Sequence, residues 1–428
     1  MQHEIEIWPI DRLVFYVRNP RKNDAAVDRM CASIREFGFK IPVLARSNGE
    51  VVDGHLRLKA AKKLDITEIP VILCDEWTPA QVKAFRLMVN RSVAWADWDE
   101  ELLSLELLDL KELDFELGLT GFDDDELTRL LAGKETAEGL TDEDAVPEMP
   151  ETPVSLDGDL WIVGDHLLLV GDATDTAAVA KLMAGATADL VFTDPPYNVD
   201  YEGYTEERLK ISGDRMSDSD FKQFLESAFR SYRGLVKPGA SMYVCHSSSW
   251  QREFQNAMEA AGFEVRCQII WAKNTFAWGF GRYKFQHEPI FYTHVTAQKD
   301  PWYGDKSQST LWQEKKPAAN RMHPTAKPVE LVERALLNSS KSGDIVVDLF
   351  GGSGSTLIGC ERRGRKARIM EIDPKYCDVI VRRWEEFTGR KATLDGDGAT
   401  FESARQNRQI STEGETKDTV APTQEANT

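Results

Sequence analysis

A carboxylate, two prolines and an aromatic ring, Asp194-Pro195-Pro196-Tyr197, end the apolar run that begins at Asp189. Proline cannot continue a β-ladder, so the spacing predicts a strand that stops there with the carboxylate at its tip. An acid acceptor, backbone carbonyls and a ring in one place suit a flat base with an exocyclic amine. The acceptors draw on the NH2 group while the ring stacks on the face of the base. Such an amine is a poor nucleophile, because its lone pair is delocalised into the ring. Asp194 and the carbonyl of Pro195 are placed to accept its two hydrogens and pull the nitrogen toward tetrahedral geometry. Orientation and electrostatics then supply the acceleration, with no covalent intermediate. A bare Asp-Pro-Pro is equally a strand-ending turn, so the rest of the chain has to decide.

A second motif runs from Ile345-Val346-Val347-Asp348 through Leu349-Phe350-Gly351-Gly352-Ser353-Gly354 to Ser355-Thr356. A β-branched run enters a glycine-rich turn, and the following Leu357 to Glu361 is predicted as helix. Glycines there let a ligand approach the backbone at a helix N-terminus. A P-loop needs a lysine after its last glycine, and Ser355 follows Gly354. A dinucleotide fingerprint needs a third glycine where Leu357 stands. The next strand, Lys366 to Met370, ends in Glu371-Ile372-Asp373, where an acid is placed to take ribose hydroxyls. The pattern fits a nucleoside ligand without phosphates.

With these residues in view, about Leu156 to Ala392 resembles the β group of amino-directed, S-adenosylmethionine-dependent DNA methyltransferases. In that group the Asp-Pro-Pro-Tyr motif precedes the cofactor turn, and Phe350 to Gly354 matches its Phe-x-Gly-x-Gly. His323-Pro324-Thr325-Ala326-Lys327-Pro328 matches the segment before the cofactor strand. Met370 to Tyr376 matches the ribose-binding stretch, and Gly171-Asp172-Ala173 matches the adenine-contacting position. Leu349 departs from the family's usual proline. The resemblance implies Asp194, Pro195, Pro196 and Tyr197 as catalytic residues. It implies Asp172, Thr325, Lys327, Asp348, Phe350, Gly352, Gly354 and Glu371 as cofactor-binding, with Lys327 on the cofactor carboxylate and Thr325 beside it. S-adenosyl-L-methionine is the implied cofactor, and no metal is implied. Within the family, Asp-Pro-Pro-Tyr favours adenine N6 and Ser-Pro-Pro variants favour cytosine N4. Carbon-directed cytosine methylation needs a cysteine nucleophile, usually after proline, and the chain has no Pro-Cys dipeptide. Cytosine N4 methylation, an RNA or protein-amide substrate, and a non-catalytic DNA-binding relic are the competing readings. Asp194 argues against the second and intact motifs against the third.

The elements that must position these groups read as α/β. Phe221 to Leu235 is predicted as helix, and Ser241 to Cys245, Val265 to Trp271 and Pro289 to His294 as strands. Such alternation predicts a Rossmann-like, mostly parallel sheet with helices on both faces. Lys237-Pro238-Gly239-Ala240 is expected to be the turn before its strand. Thr296 to Met322 lies where the family keeps its target-recognition segment, with Tyr201–Ser219 as a second candidate.

Ahead of this body, residues 1–75 read as a small α/β domain that resembles the N-terminal domain of ParB-like and sulfiredoxin-like proteins. Of the nucleotide-binding turn of ParB, only Gly54 and Arg57 carry over, which favours a structural or DNA-docking role. Residues 76–133 read as acidic helices, with Leu102 to Leu117 spaced for packing. The expected boundaries continue with a linker at 134–155, a methyltransferase domain at 156–397 and a disordered tail at 398–428.

A net charge of −19 is unusual for a chain expected to bind double-stranded DNA. Between Asp97 and Glu151, 20 acids face only Lys111, Arg129 and Lys134, which leaves about −2 for everything else. The acidity is one block, and basic clusters such as Arg362-Arg363-Gly364-Arg365-Lys366 can meet phosphate. Six scattered cysteines, a polar opening segment and no long apolar run predict a cytoplasmic protein without a membrane partner. A homodimer is compatible with the sequence. Whether a restriction-modification partner nuclease exists is not written in it.

Overall fold

The computed structural model describes residues 4–16, 24–92, 95–131, 138–199, 215–277, 282–295, 297–305, 307–314 and 326–408. Thr325, His323 and most of Tyr201–Ser219 lie outside the described residues. The chain divides into two compact units, Met1–Lys134 and Glu135–Thr428.

In the first unit, β1 (Ile5–Pro9), α1 (Val27–Phe37), β2 (Val43–Ala45), β3 (Val51–Asp53), α2 (His55–Lys63) and β4 (Glu68–Leu73) form a sheet of order β1-β4-β2-β3 with its helices. Trp8, Val43, Val51, Leu58, Ile69 and Val71 make its core. Helix α3 (Pro79–Ser92), read from sequence as part of the acidic helices, packs on this sheet instead. Val82 is buried against Val52 and Cys74, and Arg86 donates to the Val51 carbonyl at 2.7 Å. The leucines of 102–117 find their partner within the same unit. Leu107 of α4 (Glu100–Glu112) packs with Leu127 and Leu130 of α5 (Asp124–Leu131).

The second unit is built on ten strands: β5 (Leu160–Val163), β6 (His166–Val170), β7 (Ala188–Thr193), β8 (Val236–Cys245), β9 (Phe263–Ala277), β10 (Phe285–Val295), β11 (Leu311–Trp312), β12 (Ile345–Asp348), β13 (Lys366–Glu371) and β14 (Thr393–Leu394). Their order is β11-β9-β10-β8-β7-β12-β13-β6-β5-β14. The centre, β8-β7-β12-β13-β6, is wholly parallel, and antiparallel pairs flank it on both sides. Buried strands of this kind send alternate residues to opposite faces. Leu190, Phe192, Val346 and Ile369 point to one core, with α9 (Val329–Ser339), α10 (Ser355–Arg363) and α11 (Pro374–Thr388). Val191, Val347 and Met370 point to the other, with α6 (Thr176–Met183), α7 (Asp218–Leu235) and α8 (Gln251–Ala260). The expected turn at Lys237–Ala240 lies inside β8, where the register against β7 jumps from Ala188↔Val236 to Leu190↔Ser241. Proline and glycine are accommodated there by an irregularity of the ladder.

Two further expectations are corrected. Much of the linker at 134–155 is a strap laid on the catalytic unit. The Leu140 amide donates to the Phe387 carbonyl at 2.7 Å, and Asp144 Oδ1 accepts from the Val329 amide at 2.9 Å, capping α9. The tail does not lose structure at 398. Residues 401–408 are helical, Phe401 and Ala404 enter the core beside Trp161, and Arg408 pairs with Asp159 at 2.6 Å. A few apolar residues suffice to order a polar segment when the core offers them a slot, and composition averages do not show this. Phe401→Ala is therefore expected to destabilise the protein by about 3–5 kcal/mol in denaturant unfolding. A fragment cut at 153–397 should melt below one spanning 138–408.

Candidate active site

The glycine turn and the carboxylate motif meet because β7 and β12 are neighbours in the sheet, although helices and strands separate them in the chain. Both strands end at the same edge, the carboxyl edge of a parallel sheet, where open α/β sheets bind ligands. Thr193, the last residue of β7, donates to Asp348 Oδ1, the last residue of β12, at 3.0 Å. Tyr232 of α7 extends the chain: its hydroxyl lies 2.7 Å from Thr193 Oγ1 and accepts from the Leu349 amide at 2.8 Å. That last bond needs an N–H, so leucine at 349 does something the family's proline cannot.

Asp348 is buried and saturated. It also accepts from Thr356 Oγ1 at 2.7 Å and from the Phe350 amide at 3.1 Å. Burial raises its carboxyl to about 7 against the pull of those donors. Its role is to hold both ends of the glycine turn. Within that turn Gly351 has no room for a side chain, since a Cβ would meet Ile369 Cγ2 at 2.5 Å. Gly352 has φ +50°, and open space lies where its Cβ would be. Gly354 starts α10 with φ +87°. Phe350 stands edge-on to Phe224 of α7, with ring centres 5.8 Å apart.

Glu371 at the end of β13 accepts from the Gly352 amide at 2.8 Å and, through its other oxygen, from the Asp373 amide at 2.9 Å. Burial pushes its carboxyl up to about 7. Its carbonyl accepts from the Gly171 amide at 3.0 Å, which brings the end of β6 alongside. There Asp172 forms a local turn, taking both the amide and the hydroxyl of Thr174 at 2.8 Å. Asp172, Glu371, Asp348 and the glycine turn thus line one continuous edge.

The tip of β7 is tightly bonded. Tyr197 Oη donates to Asp194 Oδ1 at 2.6 Å, and Lys327 Nζ donates to Asp194 Oδ2 at 2.5 Å. Lys327, expected on the cofactor, is thus a partner of Asp194 in this structure. Its ammonium also sits 5.5 Å over the Tyr197 ring. Burial, with the charge of Asp194 second, raises the Tyr197 phenol well above its ordinary value, so it remains a donor at neutral pH. Asn198 takes a left-handed conformation, φ 52°, which asparagine tolerates better than most residues. Its side chain clamps Met216 at both amide and carbonyl, anchoring the motif where the described chain resumes. Cys245, at the end of β8, is buried, and burial together with Asp194 raises its thiol far above its ordinary value. It is no nucleophile.

Sequence reasoning missed Thr193, Tyr232 and two charges on neighbouring strands, Glu288 of β10 and Lys273 of β9. Lys273 pairs with Glu288, and Glu288 lies 3.2 Å from Lys327. Glu288 stands in β10 between the polar Gln286-His287 and the apolar Ile290-Phe291, and nothing in that local pattern marks it as part of the site. In the N-terminal unit Arg57 is held by Asp53 at 3.1 Å and by the Pro42 carbonyl at 3.3 Å.

Residues 188–382 match the family described as DNA methylase, residues 2–90 the ParB N-terminal domain and residues 101–156 the ParB-methyltransferase HTH domain. The Type II methyltransferase M.HinfI of Haemophilus influenzae is 26% identical over 252 residues, 52% of this chain and 68% of that protein. M2.DpnII of Streptococcus pneumoniae is 26% identical over 50% of this chain and 88% of its own. Among solved structures, the M1.HpyAVI–SAM complex aligns with TM-score 0.40 at 24% identity, over 49% of this chain and 95% of that one. The cytosine-N4-specific PvuII DNA methyltransferase aligns with TM-score 0.43 at 18% identity, over 61% of this chain and 96% of that one. Within the C-terminal unit, residues 188–382 are thus the part similar to DNA methylases. In this chain it follows a ParB N-terminal domain and a ParB-methyltransferase HTH domain.

A carboxyl that ionises near pH 7 and must accept hydroxyls makes ligand affinity pH-dependent. Only the ionised Glu371 accepts through both oxygens, so affinity for a ribose-bearing ligand should rise as pH increases through 7. Calorimetry between pH 6 and 8 should show that rise, and Glu371→Gln should flatten it while weakening binding by about 1–3 kcal/mol.

Proposed function

We propose that this chain transfers a methyl group from S-adenosyl-L-methionine to N6 of adenine, at a specific site in double-stranded DNA, with the target base turned out of the helix. The observation that carries the reading is Asp194. Its carboxylate stands partly exposed at the tip of β7, next to the strand that ends in the glycine turn.

The residues present suit this cofactor. Open space at Gly352, the two-oxygen acceptor Glu371 and the ring of Phe350 offer a nucleoside a backbone to lie on, a ribose partner and an apolar wall. Arg383, which bonds the turn, is buried and donates to the Ser353 carbonyl at 2.8 Å and the Glu143 carbonyl at 2.6 Å. Asp172, just beyond β6, is the group for the adenine edge, and the family resemblance gives Thr325 and Lys327 to the amino-acid part. When bound, the sulfonium supplies an electrophilic methyl group.

The protein's own part is orientation and charge. Asp194 Oδ2 and the Pro195 carbonyl accept the two hydrogens of the exocyclic amine, which turns its lone pair out of conjugation and toward the methyl carbon. The bound donor would supply its methyl group to that lone pair, and the proton the nitrogen then loses would pass to Asp194 Oδ2. Tyr197 steadies Asp194 and offers its ring to the base. The acid at 194, the lack of a Pro-Cys dipeptide and the inert Cys245 support an exocyclic amine over ring carbon as the acceptor.

Asp194→Ala is expected to lower methyl transfer by at least about a thousandfold while cofactor affinity stays within a few-fold, because different side chains address base and cofactor. Radiolabel transfer and calorimetry on the same preparation check both halves. Mass spectrometry of digested product DNA should find N6-methyladenine. N4-methylcytosine as sole product would overturn the choice of base.

A further inference from the structure

Four charges converge behind the catalytic motif: Asp194 on β7, Glu288 on β10, Lys273 on β9 and Lys327 before α9. Lys327 is the shared member. Its Nζ donates to Asp194 Oδ2 at 2.5 Å and lies 3.2 Å from Glu288 Oε2, within ion-pair range but without a hydrogen bond. Glu288 Oε2 is enclosed and only loosely met by that ammonium, while Lys273 occupies Oε1. A second carboxylate thus faces the same ammonium that blocks Asp194 Oδ2.

We propose that Glu288 is a positioning residue that takes Lys327 from Asp194 when the target amine docks, leaving Asp194 Oδ2 to accept from that amine. The inference rests on the methyl-transfer reading above. Asp194 has one oxygen bonded by Tyr197 and the other by Lys327, so its best-aimed lone pairs are occupied before a base arrives. Lys327 is buried, and moving its charge away from one carboxylate is permitted only if another receives it. Glu288 meets that need without a large displacement, since its Oε2 already lies 3.2 Å from Lys327 Nζ. Lys273 keeps Glu288 ionised: although burial works to raise its carboxyl, Lys327 and Lys273 outweigh it and hold it at about 2. The exchange moves no proton and changes no net charge.

The test uses the full chain, unmethylated genomic DNA and a tritium-labelled methyl donor. Glu288→Gln keeps the volume and removes the charge. The expected result is a fall in kcat of about tenfold or more, with donor Kd within twofold of wild type and part of the rate regained in Glu288→Asp. Wild-type kcat in Glu288→Gln overturns the proposal. So does a loss matched by an equal loss of donor affinity, because that marks a residue that only holds the fold. If Glu288→Gln does not fold, Glu288→Asp decides: a lower kcat at unchanged donor affinity supports the exchange, and an unchanged kcat overturns it. An inactive wild type overturns the methyl-transfer reading and this proposal together. An active wild type with an indifferent Glu288 overturns this proposal alone.

Discussion

The bond from Thr193 to Asp348 is the constraint on which the active site depends. It joins the last residue of the strand that carries the carboxylate motif to the last residue of the strand that carries the glycine turn. The hydroxyl of Tyr232 prolongs it to the Leu349 amide, so one buried run of hydrogen bonds fixes β7, β12 and α7 together. Buried polar runs of this kind are stabilising only when every member is satisfied, and here each is. Asp348 gives up the solvent that would keep it ionised at low pH and receives three donors in exchange. The result is a turn whose backbone is held from behind, leaving its front to a ligand.

Around that constraint the site separates two electrostatic tasks. At the glycine turn the carboxyls of Glu371 and Asp348 are raised by burial and are met by backbone amides and hydroxyls rather than by cations. At the tip of β7 the carboxylates of Asp194 and Glu288 are met by two lysines. A neutral nucleoside and a sulfonium suit the first. A reaction in which an amine gains a bond to carbon and then loses a proton suits the second, where an ionised acceptor is required throughout.

The strap at 138–155 and the helical stretch at 401–408 show how the unit is closed. Arg383 bridges the strap at the Glu143 carbonyl to the glycine turn at the Ser353 carbonyl, and Ser355 Oγ donates to the Lys327 carbonyl at 2.6 Å. Segments that look like spacers by composition therefore bear on the placement of both the turn and the lysine. Their acids and prolines made them read as linker. Whether such a segment is ordered depends on a slot in another part of the fold, and composition does not record that.

What the sequence determined by itself was whatever is decided within a few residues. Proline ended β7 after Thr193, glycines opened the turn at 352 and 354, and short apolar and β-branched runs marked the buried strands. The α/β class and the two motifs follow from such local rules, whereas Asp172, Thr325 and Lys327 were named only through the family resemblance. Even there Lys237–Ala240 misled, because a ladder can absorb a proline and a glycine through a shift of register. What only the tertiary structure decided is who meets whom. Lys327 meets Asp194 across 133 residues, and Thr193 meets Asp348 across 155. Glu288 joins them from β10, whose mixed polar and apolar sequence does not single it out. The physical reason is that a charge or hydroxyl acquires its role from the partner that shares its burial, and the order of strands in the sheet selects that partner.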